Sequence, residues 1–298
     1  MNSLNGKVVL ITGGARGVGA EVARRLNRQG AKLVLTDLDA APLEALAAEL
    51  GGEANVVTVL ADVCDLAAME AAVAQGAARF GGIDIVVANA GIASYGSVLA
   101  VDPEAFKRVI DVNVTGVFHT VRAALPQVIA RRGYVLVVSS LAAYAASPGL
   151  AAYHASKAGA EHFANALRLE VAHLGVDVGS AHMSWIDTPL VQDAKQDLSA
   201  FNQMLKTLPG PLGRTTSVER CGEIFAEGIA RRATHINVPG WVGAMRWLRP
   251  AIRSRIAEFQ TRRAAPRLMP LMDQEVAAMG RSLSARTKAL EDEPQAVK

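Results

Sequence analysis

Cysteine is scarce in these 298 residues: Cys64 and Cys221 are the only two. Two distant thiols supply neither a disulfide framework nor the local spacing of a zinc site, so core or loop thiols in a reducing, cytoplasmic compartment are the expectation. Charge of one sign is also lacking, with 31 Lys and Arg against 28 Asp and Glu and a formal net charge of +3. The small positive excess gathers near the C-terminus, without interleaved aromatics in a patch, which disfavours nucleic acid as a partner. Met1 to Gly6 are short and polar, with no charged segment leading into an apolar one, so no secretory signal is expected. The longest uncharged stretch, Gly133 to Ala152, approaches the length of a membrane span. It contains Ser139, Ser140, Ser147, Pro148 and Gly149, and therefore reads as strand then loop. Internal repeats, low-complexity tracts and any His-Glu-x-x-His pair are absent, so no metal is expected.

What is present is a 51% hydrophobic chain, ample for a buried core. Short β-rich runs alternate with Ala-rich helical segments: Lys7 to Thr12, Lys32 to Thr36, Asn55 to Leu60, Ile83 to Ala88, Tyr134 to Ser139, Val176 to Ala181 and His235 to Val238. That alternation predicts an α/β, doubly wound parallel sheet, a Rossmann fold. Runs such as Val8-Val9-Leu10-Ile11 are continuously apolar, as a sheet covered by helices on both faces requires. The expected division is one domain over residues 1–240 and a basic, amphipathic helical extension over 241–298. In the extension, Met245, Leu248, Ile252, Ile256 and Phe259 recur at helical spacing, while Arg246, Arg249, Arg253 and Arg255 take other faces. Pro266 and Pro270 are expected to divide it into two helical pieces, Pro250 to set a helix start, and residues from about Thr287 to fray.

Thr12-Gly13-Gly14-Ala15-Arg16-Gly17-Val18-Gly19 follows the first strand and opens a helix. Such a turn can present backbone N–H groups to a pyrophosphate. Asp37 ends the second strand, where a carboxylate can accept from both ribose hydroxyls of the adenosine half; this favours NAD over NADP, although Arg16 could partly neutralise a 2′-phosphate. Asp62, with Val63 beside it, can either accept from the adenine amino group or cap a helix. Asn89-Ala90-Gly91 closes the fourth strand at the carboxyl edge of the sheet, where ligands of such folds bind.

Tyr153 and Lys157 stand four residues apart on one predicted helix face, so the Lys157 charge is expected to lower the Tyr153 phenol and let it move protons near neutral pH. His119, His154, His162, His173 and His182 offer rival bases, but neighbouring helix positions do not face each other, and His154 is expected to turn away from Tyr153.

With the glycine turn, Asn89-Ala90-Gly91, Asn113, Ser139-Ser140 and Tyr153-x-x-x-Lys157 in this order, residues 4 to 240 resemble the short-chain dehydrogenase/reductase superfamily. The resemblance implies a catalytic tetrad of Asn113, Ser140, Tyr153 and Lys157. Tyr153 would exchange the hydroxyl proton, Ser140 would hold the same oxygen, and Lys157 would also hold the nicotinamide ribose. Asn113 would position a water through a helix irregularity. Cofactor contacts are implied for Gly13, Arg16, Gly17, Val18, Gly19, Asp37, Asp62, Val63, Asn89, Ala90, Gly91 and Thr188. The sequence departs from the family at Met183-Ser184, where Pro-Gly is usual, and Trp185 beside them can intrude on the substrate space.

An apolar segment from Trp185 to Arg214 occupies the place of the family's variable substrate lid, which suggests an apolar alcohol or ketone. Subunits of the family pair through the helices around Asn113 and Tyr153, implying a homodimer or homotetramer. The extension is expected to pack on a neighbouring subunit near the pocket in preference to lying on an anionic membrane surface. The leading expectation is an NAD-dependent oxidoreductase of a secondary alcohol or ketone. The alternatives are an NADPH-dependent 3-ketoacyl-type reductase and a nucleotide-binding scaffold or sensor without turnover.

Overall fold

The structure, a computed structural model, describes residues 4–252 and 254–292. Seven parallel strands form one sheet in the order β3-β2-β1-β4-β5-β6-β7: β1 Val8–Thr12, β2 Lys32–Asp37, β3 Val56–Leu60, β4 Ile85–Ala88, β5 Tyr134–Val138, β6 Asp177–Met183 and β7 His235–Val238. Every strand lies within two residues of its predicted run. Strand order reverses between β1 and β4, and the crevice outside their carboxyl ends is where ligands bind in such sheets.

The helices are α1 Gly17–Arg28, α2 Ala40–Glu49, α3 Leu66–Phe80, α4 Pro103–Ile110, α5 Gly116–Ala130, α6 Ala151–Val171, α7 Pro189–Asp197, α8 Ser199–Thr207, α9 Val218–Ala230, α10 Val242–Trp247, α11 Arg249–Ile252, α12 Phe259–Met279 and α13 Ala285–Asp292. The continuous apolar character of β1 is divided by the strand's period of two. Val9 and Ile11 join Leu26 of α1, Leu43 of α2 and Phe225 of α9 in one core. Val8 and Leu10 join Met69 of α3, Val121 of α5 and Leu167 of α6 in the other.

Between α4 and α5 the helix does not stop. It opens into a π turn over Asp111–Thr115, with Asn113 at the centre. Such widened turns are uncommon and break the regular hydrogen-bond ladder.

The extension differs from expectation in three ways. The helix α12 runs unbroken through Pro266 and Pro270. Both prolines are exposed and lie one turn apart, and Arg262 and Pro266, whose carbonyls lose their N–H partners, are exposed too, a setting in which water can replace the lost bonds. The division between helical pieces falls instead after α11, and Leu248, Ile256 and Phe259 are exposed, so the periodic apolar positions do not form one buried stripe. The helix Ala285–Asp292 continues past Thr287, from about which fraying is expected, while Arg253 and residues 293–298 lie outside the described residues.

The later part of the extension packs on its own chain. Leu268, Met272 and Val276 of α12 bury against Val191, Phe201, Met204 and Leu205 of α7 and α8. Glu275 accepts from the backbone N–H groups of Ser199 (3.1 Å) and Ala200 (3.0 Å) at the start of α8. Such a carboxylate satisfies donors a helix leaves unpaired and favours its dipole. Tyr95 N–H donates to Ser282 C=O at 2.8 Å, and Arg281 pairs with Asp197 at 2.9 Å.

Candidate active site

The glycine turn is built for close approach. Gly13 and Gly17 have φ of 62° and 55°, a region L side chains rarely enter. A Cβ at Gly19 would sit 2.2 Å from Gly13 O, so helix and turn touch backbone to backbone. Among the described residues no side chain caps the start of α1, and no acidic residue stands in its first turn, leaving N–H groups and a positive dipole end beside the cavity that Gly17 and Val18 line. Asn89 braces the turn from β4: its Nδ2 donates to Thr12 C=O (2.9 Å) and Gly13 C=O (3.0 Å), while Asn89 N–H and Ala90 N–H donate to Thr12 Oγ1.

Asp37 lines the same cavity and is held by three backbone donors: Ala15 N–H at 2.9 Å, Leu38 N–H at 2.8 Å and Asp39 N–H at 3.3 Å. Burial raises its carboxyl above the ordinary value, with those hydrogen bonds opposing. Arg16 is committed to an ion pair with Asp39 at 2.5 Å. Asp62 accepts from Cys64 N–H (2.8 Å) and pairs with Arg108 (2.8 Å), while the carboxylate that caps α3 is Asp65. Asp62 and Val63 therefore face the cavity. Arg108 was not foreseen; its helical spacing from other surface charges resembles a solvated face, and only the tertiary fold brings α4 to the loop after β3, where Arg108 meets Asp62.

At the other end, Lys157 is 4% exposed and its Nζ donates to Val138 C=O at 3.0 Å. Its Nζ lies 5.7 Å from the centre of the Tyr153 ring. Gly91 is what lets this group approach β4, because a Cβ there would be 3.1 Å from Lys157 Nζ and 3.2 Å from Asn113 Oδ1. Asn113 is 0% exposed. Its Oδ1 accepts from Ile92 N–H (2.9 Å), and its Nδ2 donates to Ile92 C=O (2.9 Å) and Ser156 Oγ (2.9 Å). The amide thus ties the π turn to α6 and to the loop after β4. Ser140 Oγ accepts from Ala142 N–H at 3.1 Å and donates to Met183 C=O at 3.3 Å, while Ser139 Oγ donates to Lys157 C=O at 2.8 Å.

The electrostatics correct one expectation. Burial pushes the Tyr153 phenol above 10, and a hydrogen bond with Ser140 pulls the other way. Burial also lowers Lys157 to about 8. The fold desolvates both groups together, and the cost of charging each outweighs the help that spacing alone suggested. His154 is no rival base: its Nε2 accepts from Ser147 N–H (2.9 Å) and its Nδ1 faces Ala142 C=O (2.9 Å), so the ring pins the 142–147 loop. Burial lowers its pKa.

Met183-Ser184 finds its own route at the departure from the family pattern. Pairing with β7 continues through Ser184 N–H to Val238 C=O at 2.8 Å. Trp185 lines the cavity and meets Phe201 edge to face at 5.3 Å. Thr188 begins α7 beside Gly17, so the start of that helix meets the glycine turn.

Gly13, Arg16, Gly17, Val18, Asp37, Asp62, Val63, Asn89, Ala90, Gly91, Ser140, Tyr153, Lys157 and Thr188 line one cavity of about 1130 Å³, which also reaches Met245, Ile252, Glu258, Thr261 and Arg262 of the extension; Gly19 and Asn113 are not on its wall and support it through Gly13 and Ile92. Sequence reasoning missed these tail residues as lining, since nothing in their spacing says which part of the chain they fold back upon. Among the described residues no cluster of three or more His, Cys, Asp or Glu could hold a metal ion, and no helix is long and apolar enough to cross a membrane.

A parallel sheet with a glycine turn at its switch point, and a half-buried tyrosine with a buried lysine and serine farther along the same cavity, defines a dinucleotide-dependent oxidoreductase. The short chain dehydrogenase family model matches residues 7–199, and the chain belongs to that family. It is similar to oxidoreductase UcpA of Salmonella typhimurium, 37% identical over 235 residues that cover 76% of this chain and 88% of that protein. It is also similar to an uncharacterized NAD-dependent oxidoreductase of Mycobacterium tuberculosis, 38% identical over 207 residues, or 64% of this chain and 75% of that one. The crystal structure of 3-ketoacyl-(acyl-carrier-protein) reductase from Brucella melitensis complexed with NADH is 32% identical, with a TM-score of 0.71 over 79% of this chain and 98% of that chain. The chain is thus an enzyme of the family that acts on CH–OH groups with a nicotinamide cofactor. The residues present fit such a group: a turn that a Cβ would fill, uncapped helix N–H groups for phosphates, and a buried ammonium at the far end.

Proposed function

We propose that this protein interconverts a secondary alcohol and a ketone of a lipophilic small molecule, with NAD as the preferred cofactor. The reading rests on one observation above all: Tyr153, Ser140 and Lys157 share a cavity with the glycine turn and Asp37. The bound nicotinamide would supply the hydride acceptor or donor. Gly13, Gly17, Val18 and Gly19 would bind its diphosphate, Asp37 its adenosine ribose, and Thr188 and Lys157 its other half. Asp62 and Val63 would flank the adenine, and Asn89, Ala90 and Gly91 would support the middle of the site.

Tyr153 would take the substrate hydroxyl proton during oxidation and return it during reduction. Ser140 would hold the same oxygen, fixed in place by Ala142 N–H and Met183 C=O. Because burial holds the phenol protonated in the free protein, reduction would begin from the form already present. Oxidation would first need the proton to leave through Lys157. Asn113 would hold the loop after β4 in place, and since both of its N–H groups are engaged, a water it organises would donate to main-chain carbonyls of the π turn or to its Oδ1.

Asp37 favours NAD because a 2′-phosphate would stand beside a carboxylate already fixed by three N–H donors, and Arg16 is engaged by Asp39. The relative named as NAD-dependent and the neighbour crystallised with NADH agree with this. Apolar lining from Trp185, Leu190, Val191, Phe201 and Leu208 supports a lipophilic substrate, with residues 185–214 acting as the lid over it. We further expect a homodimer or homotetramer, since Phe118 on α5 and Leu169 on α6 leave apolar side chains exposed on the two helices the family pairs.

A screen of secondary alcohols and ketones, following reduced nicotinamide absorbance, tests the reading. Tyr153→Phe should lose at least about a hundredfold in kcat while still binding NADH. Full turnover in that variant would refute the proton transfer, and a strong NADPH preference would overturn the role given to Asp37.

A further inference from the structure

We propose that the segment from Trp247 to Arg263 docks the enzyme on an anionic lipid surface, with the mouth of its substrate cavity facing the bilayer. Three observations support this. The first is apolar exposure: Trp247 is 77% exposed, Ile256 89% and Phe259 60%. Leaving an aromatic, a branched aliphatic and a second aromatic in water within one short segment is costly, and soluble surfaces seldom group them.

The second is charge. Residues 241–267 carry seven arginines and one carboxylate, Glu258. Arg255 and Arg263 are exposed and have no carboxylate partner among the described residues. Beside them Lys206 and Arg263 line a shallow cleft of about 440 Å³ with Gln260 and Thr207, a place where two cations can meet one phosphate oxygen cluster. Aromatic and aliphatic side chains among arginines are what an interfacial segment needs, the first to enter the headgroup boundary and the second to meet anionic lipid. A purely protein partner would not require the basic excess.

The third is position. Ile256 and Phe259 point to solvent from the same turn whose Ala257, Glu258, Thr261 and Arg262 line the cavity. The docking face and this part of the cavity lining thus share one turn. An apolar alcohol or ketone dissolved in a bilayer would reach the site without crossing water; this last consequence rests on the lipophilic substrate proposed above, whereas the docking does not.

Full-length protein, without substrate or cofactor, is sedimented with vesicles of phosphatidylcholine alone or equimolar with phosphatidylglycerol. The expected result is co-sedimentation with the anionic vesicles that weakens as salt rises. Trp247→Ser/Ile256→Ser/Phe259→Ser should reduce partitioning at least about tenfold. Arg255→Gln/Arg263→Gln, at exposed positions with little to lose in folding, should reduce it about fivefold per charge. Thermal midpoints of both variants near wild type show that the fold is intact, and should the triple variant unfold, the charge pair decides alone. Wild-type protein remaining in the supernatant, or variants binding as wild type does, overturns the proposal. A change of particle mass in the triple variant with unchanged vesicle binding would assign the face to a second copy of the chain and also overturn it.

Discussion

Acid should destabilise this enzyme through a buried histidine that has no part in the chemistry. His182 on β6 is 0% exposed, and neither ring nitrogen has a hydrogen-bond partner among the described residues. It stacks on Tyr144 at 4.5 Å and lies 6.3 Å from His235 of β7. Arg249 from the extension covers the other side, its guanidinium 4.2 Å from the Tyr144 ring centre, and ion-pairs with Glu161; Arg246 contacts His235 Nε2 at 2.6 Å. Glu161 stands 3.8 Å from His182 Nε2 and would favour a charged imidazole. It is already engaged by Arg249, so burial wins, followed by His235, Arg249 and Arg246, and His182 falls to about 3. His235 falls to about 4, through burial and then Arg246 and Arg168.

Both folded values lie below the ordinary 6.5, so the unfolded chain binds more protons between them and stability is lost as pH falls from about 6.5 toward 4 and then 3. At pH 5 the His182 contribution is about 2 kcal/mol, and His235, partly exposed and screened, adds about 1 kcal/mol. For a chain of this length that is a fall of roughly 5 °C in Tm between pH 7 and pH 5. His182→Phe keeps the stacking on Tyr144 and removes two unsatisfied nitrogens, so at pH 7 it should lie within about 1 kcal/mol of wild type. Its fall between pH 7 and pH 5 should be smaller by about 2 kcal/mol, or roughly 3 °C. Carboxylates elsewhere titrate in both proteins and cancel in the difference. Thermal unfolding by circular dichroism at the two pH values measures it. Equal falls for wild type and variant would refute the reasoning. The effect should reach the site, because Met183, the residue after His182, holds Ser140 through its carbonyl.

Three further outcomes are expected. Gly19→Ala places a Cβ 2.2 Å from Gly13 O, so NADH binding measured by fluorescence should weaken at least about tenfold, as the backbone contact must open; unchanged affinity would show that the turn is not the diphosphate site. Asp37→Ser should raise NADPH affinity relative to NADH by about tenfold or more through loss of one carboxylate charge, read as the ratio of the two dissociation constants. Lys157, lowered to about 8 by burial, should give the free enzyme a titration near that value in the pH profile of NADH binding, with binding weaker above it as the ammonium is lost; Lys157→Met should abolish the step, and a step that persists would belong to another group.

The seven strands and the glycine turn were legible because local rules dictate them. Continuous apolar runs must be covered on both faces, and a turn made of Gly13, Gly17 and Gly19 needs no distant contact to declare its shape. Tyr153 and Lys157 were legible as a pair for the same reason, since four residues of helix fix their common face. Their proton affinities were not. Those depend on how much water the fold removes, and Gly91, Asn113 and Val138, which close around Lys157, come from three separate elements.

The extension shows the limit most plainly. Its spacing foresaw helices but not the break after Ile252, because Pro266 and Pro270 are tolerated wherever the carbonyls they orphan can reach water, and exposure is a property of the assembled molecule. Nor could composition tell that Met272 would lie against Phe201, or that Thr261 would line the cavity. The sequence by itself determined the alternation of strands and helices, the phosphate-binding turn and the identity of the proton-transfer pair, all of which follow from contacts within a few residues. Only the tertiary structure decided the charge states of that pair, the partners of Arg16 and Asp62, and the fold-back of the extension over the cavity, because desolvation and long-range contact exist only once distant segments meet.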